Sequence, residues 1–243
     1  MRSKTMPFHT APLGRRRFLA LSGASAAGLV IAGCGDDEEP AQTTPAEEPP
    51  PEPMADVTLD FATTAGVLNY AYALEQLEAA FYAQVNKEFE ANGETFQAQL
   101  RDIGAHEQVH VDFLAAVLAD DAIPALEPNF ETVDFSDRES VLQTAFTFEN
   151  LGVGAYNGAA RFLARLASEG DELAPTALMA AGDIVAVEAR HASVIGAQLE
   201  PGQDDMFAPN AFDPAMPPAE VVAAAQPFIT QRIAVTNADP QGG

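Results

Sequence analysis

The sequence predicts an all-α protein, a four-helix bundle with a long crossover between the second and third helices. Apolar residues recur at helical spacing from Thr58 to Leu199, and Gly and Asn interrupt this stretch twice. Near its middle lies a segment, DDAIPALEPNFETVDFSD, that has two prolines and no helical period. A connection of that length can run along a whole bundle, so the expected order is hairpin, crossover, hairpin.

The helical stretch divides into two predicted hairpins. Their helices are expected at 59–90, 95–119, 137–168 and 172–199. Asn92-Gly93 and Glu169-Gly170 separate the members of each pair, because Gly and Asn favour the backbone conformation that ends a helix. The bundle is therefore assigned to residues 57–199.

The N-terminal segment, residues 1–34, has the composition of a targeting sequence. Three arginines at 15–17 precede Phe-Leu and an apolar run too short to span a bilayer, which resembles a twin-arginine export signal. The segment ends at Cys34, the only cysteine, in a sequence that looks like a lipoprotein processing box. We expect lipidation of Cys34 and a place on the outer face of the cytoplasmic membrane in the cell envelope; a free thiol is the alternative.

Two further segments flank the bundle. Residues 35–56 are rich in Pro and Glu and nearly free of large apolar residues, so they are expected to form a disordered tether. Residues 200–243 are predicted to be a C-terminal extension with proline-rich loops and a short helix at 219–226. No candidate site residue lies in either segment.

The chain is strongly acidic, with 36 Asp and Glu against 12 Lys and Arg and a net charge of −24. Such a surface repels phosphate groups, so nucleic acid is not an expected partner, and membrane contact is expected only through the lipid. Metal cations are attracted by it. A solubility or salt-adapted surface is the simpler explanation of the charge.

Polar residues recur in a fixed order on the apolar faces of the helices. The chain has the pattern Glu-x6-Tyr, Glu-x2-His, Glu-x6-Tyr, Glu-x2-His, at Glu75 and Tyr82, Glu107 and His110, Glu149 and Tyr156, and Glu188 and His191. In an antiparallel hairpin, residues equidistant from the turn lie at one height. The midpoint between Glu75 and the first Glu-x2-His pair falls at Asn92, and the second midpoint falls at Glu169. The four Glu and two His residues are therefore expected at one level of the bundle.

Four carboxylates and two imidazoles in an apolar interior require compensation, because burying an unpaired charge costs several kcal/mol. Two divalent cations would neutralise the four carboxylates. Oxygen and imidazole donors without thiolate favour iron or manganese. The pattern predicts two iron or manganese ions; a bundle whose buried carboxylates are satisfied without metal is the alternative.

These motifs resemble the di-iron carboxylate site of the ferritin-like superfamily, as in bacterioferritin and rubrerythrin. The stretch LNYAYALEQLEAAFY, together with the export signal, is similar to the ferritin-like domain family that includes plant desiccation-related proteins. The resemblance covers residues 58–199 and implies a ferritin-like bundle. It also implies that Glu75 and Glu149 are terminal carboxylates. Glu107 and Glu188 would then be bridging carboxylates, and His110 and His191 imidazole ligands.

A second interpretation of the same residues is a zinc protease, because residues 106–110 have the His-Glu-x2-His spacing. That site needs both His106 and His110 as ligands. The position in the fourth helix that corresponds to His106 is Val187, so the repeat favours the two-metal interpretation. His106 is expected to be a neighbour of the site, and a supporting role for it stays open.

Three further residues are candidates beside the ligands. Glu78 lies three positions after Glu75 near the centre of the apolar arc, opposite the repeat position Gly152. Rubrerythrin-like proteins have an extra carboxylate at this spacing, which implies a seventh, switchable ligand; the alternative places Glu78 at a solvated rim. Tyr82 and Tyr156 are candidates for hydrogen bonds to carboxylates or for redox relays, with aromatic core packing the favoured expectation.

The resemblance implies oxidation chemistry at two metal ions, either oxidation of Fe(II) or reduction of peroxide or dioxygen. Such an activity would be ferroxidase-like or peroxidase- and catalase-like. The alternative is a non-enzymatic envelope or stress-protective protein, related to desiccation, in which the metal only stabilises the bundle.

Overall fold

The computed structural model describes residues 55–90, 93–199 and 207–238. The export signal, Cys34 and nearly all of the tether lie outside these ranges. The predictions for those segments therefore stay predictions.

Four long helices dominate the fold and confirm the all-α prediction. They are α1 (Thr64–Glu88), α2 (Glu94–Leu118), α3 (Arg138–Ser168) and α4 (Ala174–Leu199), followed by the short α5 (Pro218–Ala225). Helix α1 packs along α2, α3 packs along α4, and α1 also contacts α3. No helix in the described part of the chain is both long and apolar enough to cross a bilayer.

The first helix begins at Thr64, later than the predicted 59, because the residues before it form a strand. Strand β1 (Val57–Asp60) pairs in parallel with β2 (Ile233–Thr236) near the end of the chain. The Thr63 side chain then caps the helix by accepting the N–H of Gly66. A Cβ on Gly66 would lie 1.8 Å from the carbonyl oxygen of Asp60, so the chain needs glycine where it enters α1.

The crossover between α2 and α3 is attached to α1 by two amide side chains. Asn69 donates to the carbonyl of Asp121 at 2.8 Å and accepts the N–H of Ile123 at 2.8 Å. Farther along α1, Gln76 accepts the N–H of Leu126 at 2.9 Å. The crossover therefore runs beside α1 in the same direction, as the predicted hairpin, crossover, hairpin order requires.

The C-terminal extension packs against α3. Met216 donates its N–H to the carbonyl oxygen of Gly154 at 2.9 Å. A Cβ on Gly158 would lie 1.8 Å from the carbonyl oxygen of Met216, so the absence of a side chain permits this approach. The predicted short helix, now α5, follows directly.

Candidate metal centre

The six residues of the Glu and His pattern meet inside the bundle, one from each of α1 and α3 and two from each of α2 and α4. Glu75, Glu107, Glu149 and Glu188 are fully buried, and His110 and His191 nearly so. They form two groups of four with Glu107 and Glu188 in common. In each group one donor atom from every residue lies within 4.8 Å of the others, which is a spacing suited to a shared ion.

The first group gathers around the imidazole of His110. Its Nδ1 lies 3.1 Å from Oε2 of Glu75, 3.2 Å from Oε2 of Glu107 and 3.3 Å from Oε1 of Glu188. Three carboxylates from three helices thus surround one ring nitrogen. The i, i+3 spacing of Glu107 and His110 puts both on the same face of α2.

The second group gathers around His191 in the same way. Its Nδ1 lies 2.8 Å from Oε1 of Glu107, 3.3 Å from Oε2 of Glu149 and 4.0 Å from Oε1 of Glu188. Although these atoms are close together, Nδ1 of His191 and Oε1 of Glu107 make no well-aligned hydrogen bond with any described residue. The polar atoms around His191 are therefore close together without being paired by hydrogen bonds.

The two tyrosines hold the outer carboxylates. Tyr82 on α1 donates a hydrogen bond to Oε1 of Glu149 on α3, and Tyr156 on α3 donates one to Oε1 of Glu75 on α1. Both rings are buried. Both also belong to the hydrophobic core, so the favoured expectation of core packing is confirmed, and the hydrogen bonds to carboxylates accompany it.

Glu78 is only 2% exposed, so the alternative that places it at a solvated rim is wrong. A Cβ on Gly152 would lie 3.2 Å from Oε1 of Glu78 and 3.0 Å from Oε2 of Glu188. The missing side chain of Gly152 thus leaves the space that these two carboxylates occupy.

Burial disfavours the ionised form of several carboxyl groups in the cluster. It raises the pKa of Glu78 and Glu188 well above their ordinary value, and the neighbouring carboxylates raise both further. Burial also raises the pKa of Glu75 to about 7, against the lowering effect of His110. Without cations, the cluster therefore favours keeping protons.

The two imidazoles and Glu107 form the ionised part of the cluster. Burial alone would lower the pKa of His191, but Glu107 and Glu149 raise it to about 10. Burial also acts to lower the pKa of His110, but Glu107, Glu188 and Glu75 raise it well above that of free imidazole. Burial acts to raise the pKa of Glu107, but the two adjacent imidazoles hold it at about 2. Without cations, these raised pKa values favour protonated imidazoles beside the carboxylates.

The donor set fits hard divalent cations. Several buried donor atoms have no hydrogen-bond partner among the described residues: Oε2 of Glu78, Oε1 of Glu107, Oε2 of Glu149, both oxygens of Glu188 and Nδ1 of His191. A buried acceptor left unsatisfied costs about 1–3 kcal/mol, and more when it is charged. Oxygen and nitrogen donors without sulfur suit iron or manganese.

His106 lies outside the cluster and contacts it through one ligand candidate. Its Nδ1 lies 2.9 Å from Nε2 of His191, and the two rings are nearly parallel, with planes 10° apart and centroids 5.2 Å apart. It does not share a site with His110, whose Nδ1 faces the carboxylates, so the zinc-protease pairing is wrong. In the two Glu-x2-His repeats His106 corresponds to Val187, so the repeats did not predict the contact between His106 and His191.

An apolar cavity lies one helical turn from the carboxylates. Leu74, Leu114, Tyr156 and Ile184 line its inner end. The cavity leaves about 20 Å³ for the centre of a water-sized molecule, which is room for one small molecule. Tyr156, which lines the cavity, also donates the hydrogen bond to Glu75.

Fold and site together define a four-helix bundle with a carboxylate and histidine cluster at its centre. The family model of the ferritin-like domain matches residues 63–201. This match covers more than half of the chain and all four long helices, and the chain belongs to the ferritin-like domain family. A search of curated proteins finds no match.

Proposed function

We propose that this protein binds two iron or manganese ions in the cluster and uses them to oxidise Fe(II) or to reduce peroxide or dioxygen. One observation carries the proposal: two four-residue groups of buried donors share Glu107 and Glu188. This is the arrangement expected of two adjacent ions with two carboxylates between them.

The residues divide naturally between the two ions. Glu75 and His110 would hold one ion and Glu149 and His191 the other, while Glu107 and Glu188 would bridge them. Four carboxylates balance the charge of two divalent cations, which removes the cost of burying them. When bound, the ions supply the redox chemistry.

The protein's own groups prepare this site. Tyr82 and Tyr156 fix one oxygen of each outer carboxylate and leave the other oxygen facing an imidazole. Fixed carboxylate orientation strengthens metal binding. The nearby cavity is apolar and therefore favours a small apolar reactant such as dioxygen.

We assign Glu78 as a seventh, switchable ligand. It is buried, its Oε2 has no partner among the described residues, and it approaches Glu188 in the space left by Gly152. With Glu78 the cluster has five carboxylates, one more than two divalent ions neutralise. A fifth carboxylate would balance the additional positive charge of the ions after oxidation.

The activity test uses the purified chain loaded with Fe(II) or Mn(II). Metal content is measured first, followed by consumption of Fe(II), dioxygen or peroxide, in the wild type, in Glu107→Gln and in the exposed control Glu172→Gln. We expect binding and turnover to be lost in Glu107→Gln and kept in Glu172→Gln. Metal bound without turnover would assign the ions a structural role, as in a non-enzymatic stress-protective protein.

The place of action is a separate proposal. The arginines at 15–17 and Cys34 support export and lipid anchoring to the outer face of the cytoplasmic membrane. Mass spectrometry of the mature chain tests it. A lipidated residue 34 at the new N-terminus is expected, and an unprocessed chain would contradict it.

A further inference from the structure

We propose that His106 positions the ring of His191 and thereby makes the two metal positions unequal, with the tighter position on the His191 side. This inference rests on the proposed function, because it concerns how the two ions are held. His106 touches no ion itself.

The contact determines which nitrogen carries each proton. The Nδ1 of His191 faces Glu107 and Glu149, so this nitrogen must offer its lone pair to a metal. A neutral imidazole that ligates through Nδ1 carries its proton on Nε2. That Nε2 lies 2.9 Å from Nδ1 of His106, so His191 donates and His106 accepts.

The two rings are nearly coplanar and meet edge to edge across this hydrogen bond. The two imidazole planes differ by 10°, with centroids 5.2 Å apart. This alignment makes the hydrogen bond nearly linear, and such a bond restrains rotation of the His191 ring and keeps Nδ1 directed at the carboxylates. Because His106 belongs to α2 and His191 to α4, the pair also links the two hairpins.

The other imidazole has no such support. By the repeat, the residue of α4 that corresponds to His106 is Val187, whose side chain has no polar atom. Within the described ranges, His110 makes its hydrogen bonds through Nδ1 alone. With Nδ1 on a metal, His110 would therefore keep no hydrogen bond from a described residue, whereas His191 would keep the one to His106.

The expected difference in metal affinity between the two positions is large enough to measure. Removing the hydrogen-bond partner of a ligating histidine typically weakens metal affinity about 10–100-fold. The first ion should therefore bind beside Glu149 and His191, and the second, more weakly, beside Glu75 and His110. The two ions would therefore bind in two distinguishable steps.

The test is calorimetric titration of the full chain with Mn(II). Wild type should show two binding events. His106→Ala should weaken the tighter event about 10–100-fold and leave the other unchanged. His106→Asn should restore the tighter event, because its amide oxygen can accept the same hydrogen bond.

Two other variants separate positioning from a general structural effect. Val187→His supplies the missing acceptor beside His110 and should tighten the weaker event. Gln108→Ala changes an exposed residue of the same helix, whose side chain bonds only Asp112 among the described residues, and should leave both events unchanged. Diffraction from crystals with one equivalent of Mn(II) should place the ion beside His191.

The possible failures are distinguishable. Failure of the wild type to bind Mn(II) would overturn the proposed function and this inference together. Two ions bound with equal affinity, an unchanged His106→Ala variant, or equal weakening of both events would overturn the inference alone.

Discussion

Tyr156 donates a hydrogen bond across the bundle to Oε1 of Glu75, whose other oxygen lies 3.1 Å from Nδ1 of His110. Both oxygens of this buried carboxylate are thus fixed before any ion is bound. Tyr82 acts on Glu149 in the same way from the opposite helix. The site is organised by its supporting residues as well as by its ligands.

Replacing Tyr156 with Phe tests this support. Loss of this hydrogen bond leaves a buried oxygen of Glu75 without a partner and should lower the free energy of unfolding of the metal-free protein by about 1–3 kcal/mol. Mn(II) affinity should also fall, by about 10-fold or more. Denaturant unfolding and metal titration measure the two effects.

The matched control is Tyr70→Phe. Tyr70 is also buried, but its hydroxyl has no hydrogen-bond partner within the described part of the chain. Removing that hydroxyl should leave stability equal or higher and metal binding unchanged. Equal behaviour of the two variants would show that the bond from Tyr156 contributes nothing.

The stability of the metal-free protein should fall as pH rises from about 5 to 8. Carboxyl groups with raised pKa, such as Glu75, Glu78 and Glu188, keep protons in the folded state that the unfolded state loses above its ordinary value of 4.5. His110 and His191, whose pKa values are also raised, add to the fall above the ordinary imidazole value of 6.5. Thermal unfolding with chelator measures the trend.

Two comparisons make the pH experiment specific. Glu188→Gln removes one of the responsible groups and should reduce the fall, whereas Glu172→Gln at the surface should not. Mn(II) should reverse the trend, because metal displaces the protons more easily at higher pH. A melting temperature that stays level or rises with pH in chelator would contradict the assignment.

Gly152→Ala should disturb the cluster without disturbing the helix. The new Cβ would lie 3.0 Å from Oε2 of Glu188 and 3.2 Å from Oε1 of Glu78, so these carboxylates must shift and metal affinity should fall. Gly182→Ala is the control, since a Cβ there meets nothing within 4 Å on an exposed part of α4. It should gain up to about 1 kcal/mol of stability. Wild-type metal binding in Gly152→Ala would argue against crowding at Glu78.

Gly158→Ala should detach the C-terminal extension. The added Cβ would lie 1.8 Å from the backbone oxygen of Met216, and backbone cannot move aside as a side chain would. We expect a loss of about 1–3 kcal/mol in unfolding free energy and faster proteolysis after α4. An unchanged digestion pattern would show that the extension is held by other contacts.

Much of this site follows from sequence periodicity. The Glu and His pattern occupies one face of each helix, and hairpin symmetry brings its members to one height, so positions alone predict the cluster of Glu75, Glu107, His110, Glu149, Glu188 and His191. The crossover was predictable because its prolines and lack of period exclude a fifth long helix. Helix ends agree with the prediction to within two residues, except at the start of α1, where β1 and a turn precede the helix.

Other features depend on distances that periodicity does not encode. Pairing of β1 with β2 joins residues from the two ends of the described chain, and each strand has only four residues. The partners of Tyr82 and Tyr156 depend on how α1 and α3 are rotated against each other. The partner of His106 lies on α4, and comparing repeats position by position compares His106 only with Val187.

The most direct test of the account is anomalous diffraction at the manganese edge from crystals of the protein grown with Mn(II). The account predicts two peaks per chain, one beside Glu75 and His110 and one beside Glu149 and His191, with Glu107 and Glu188 between them. Absence of a peak in the cluster, with the carboxylates bonded only to one another and to the imidazoles, would contradict it.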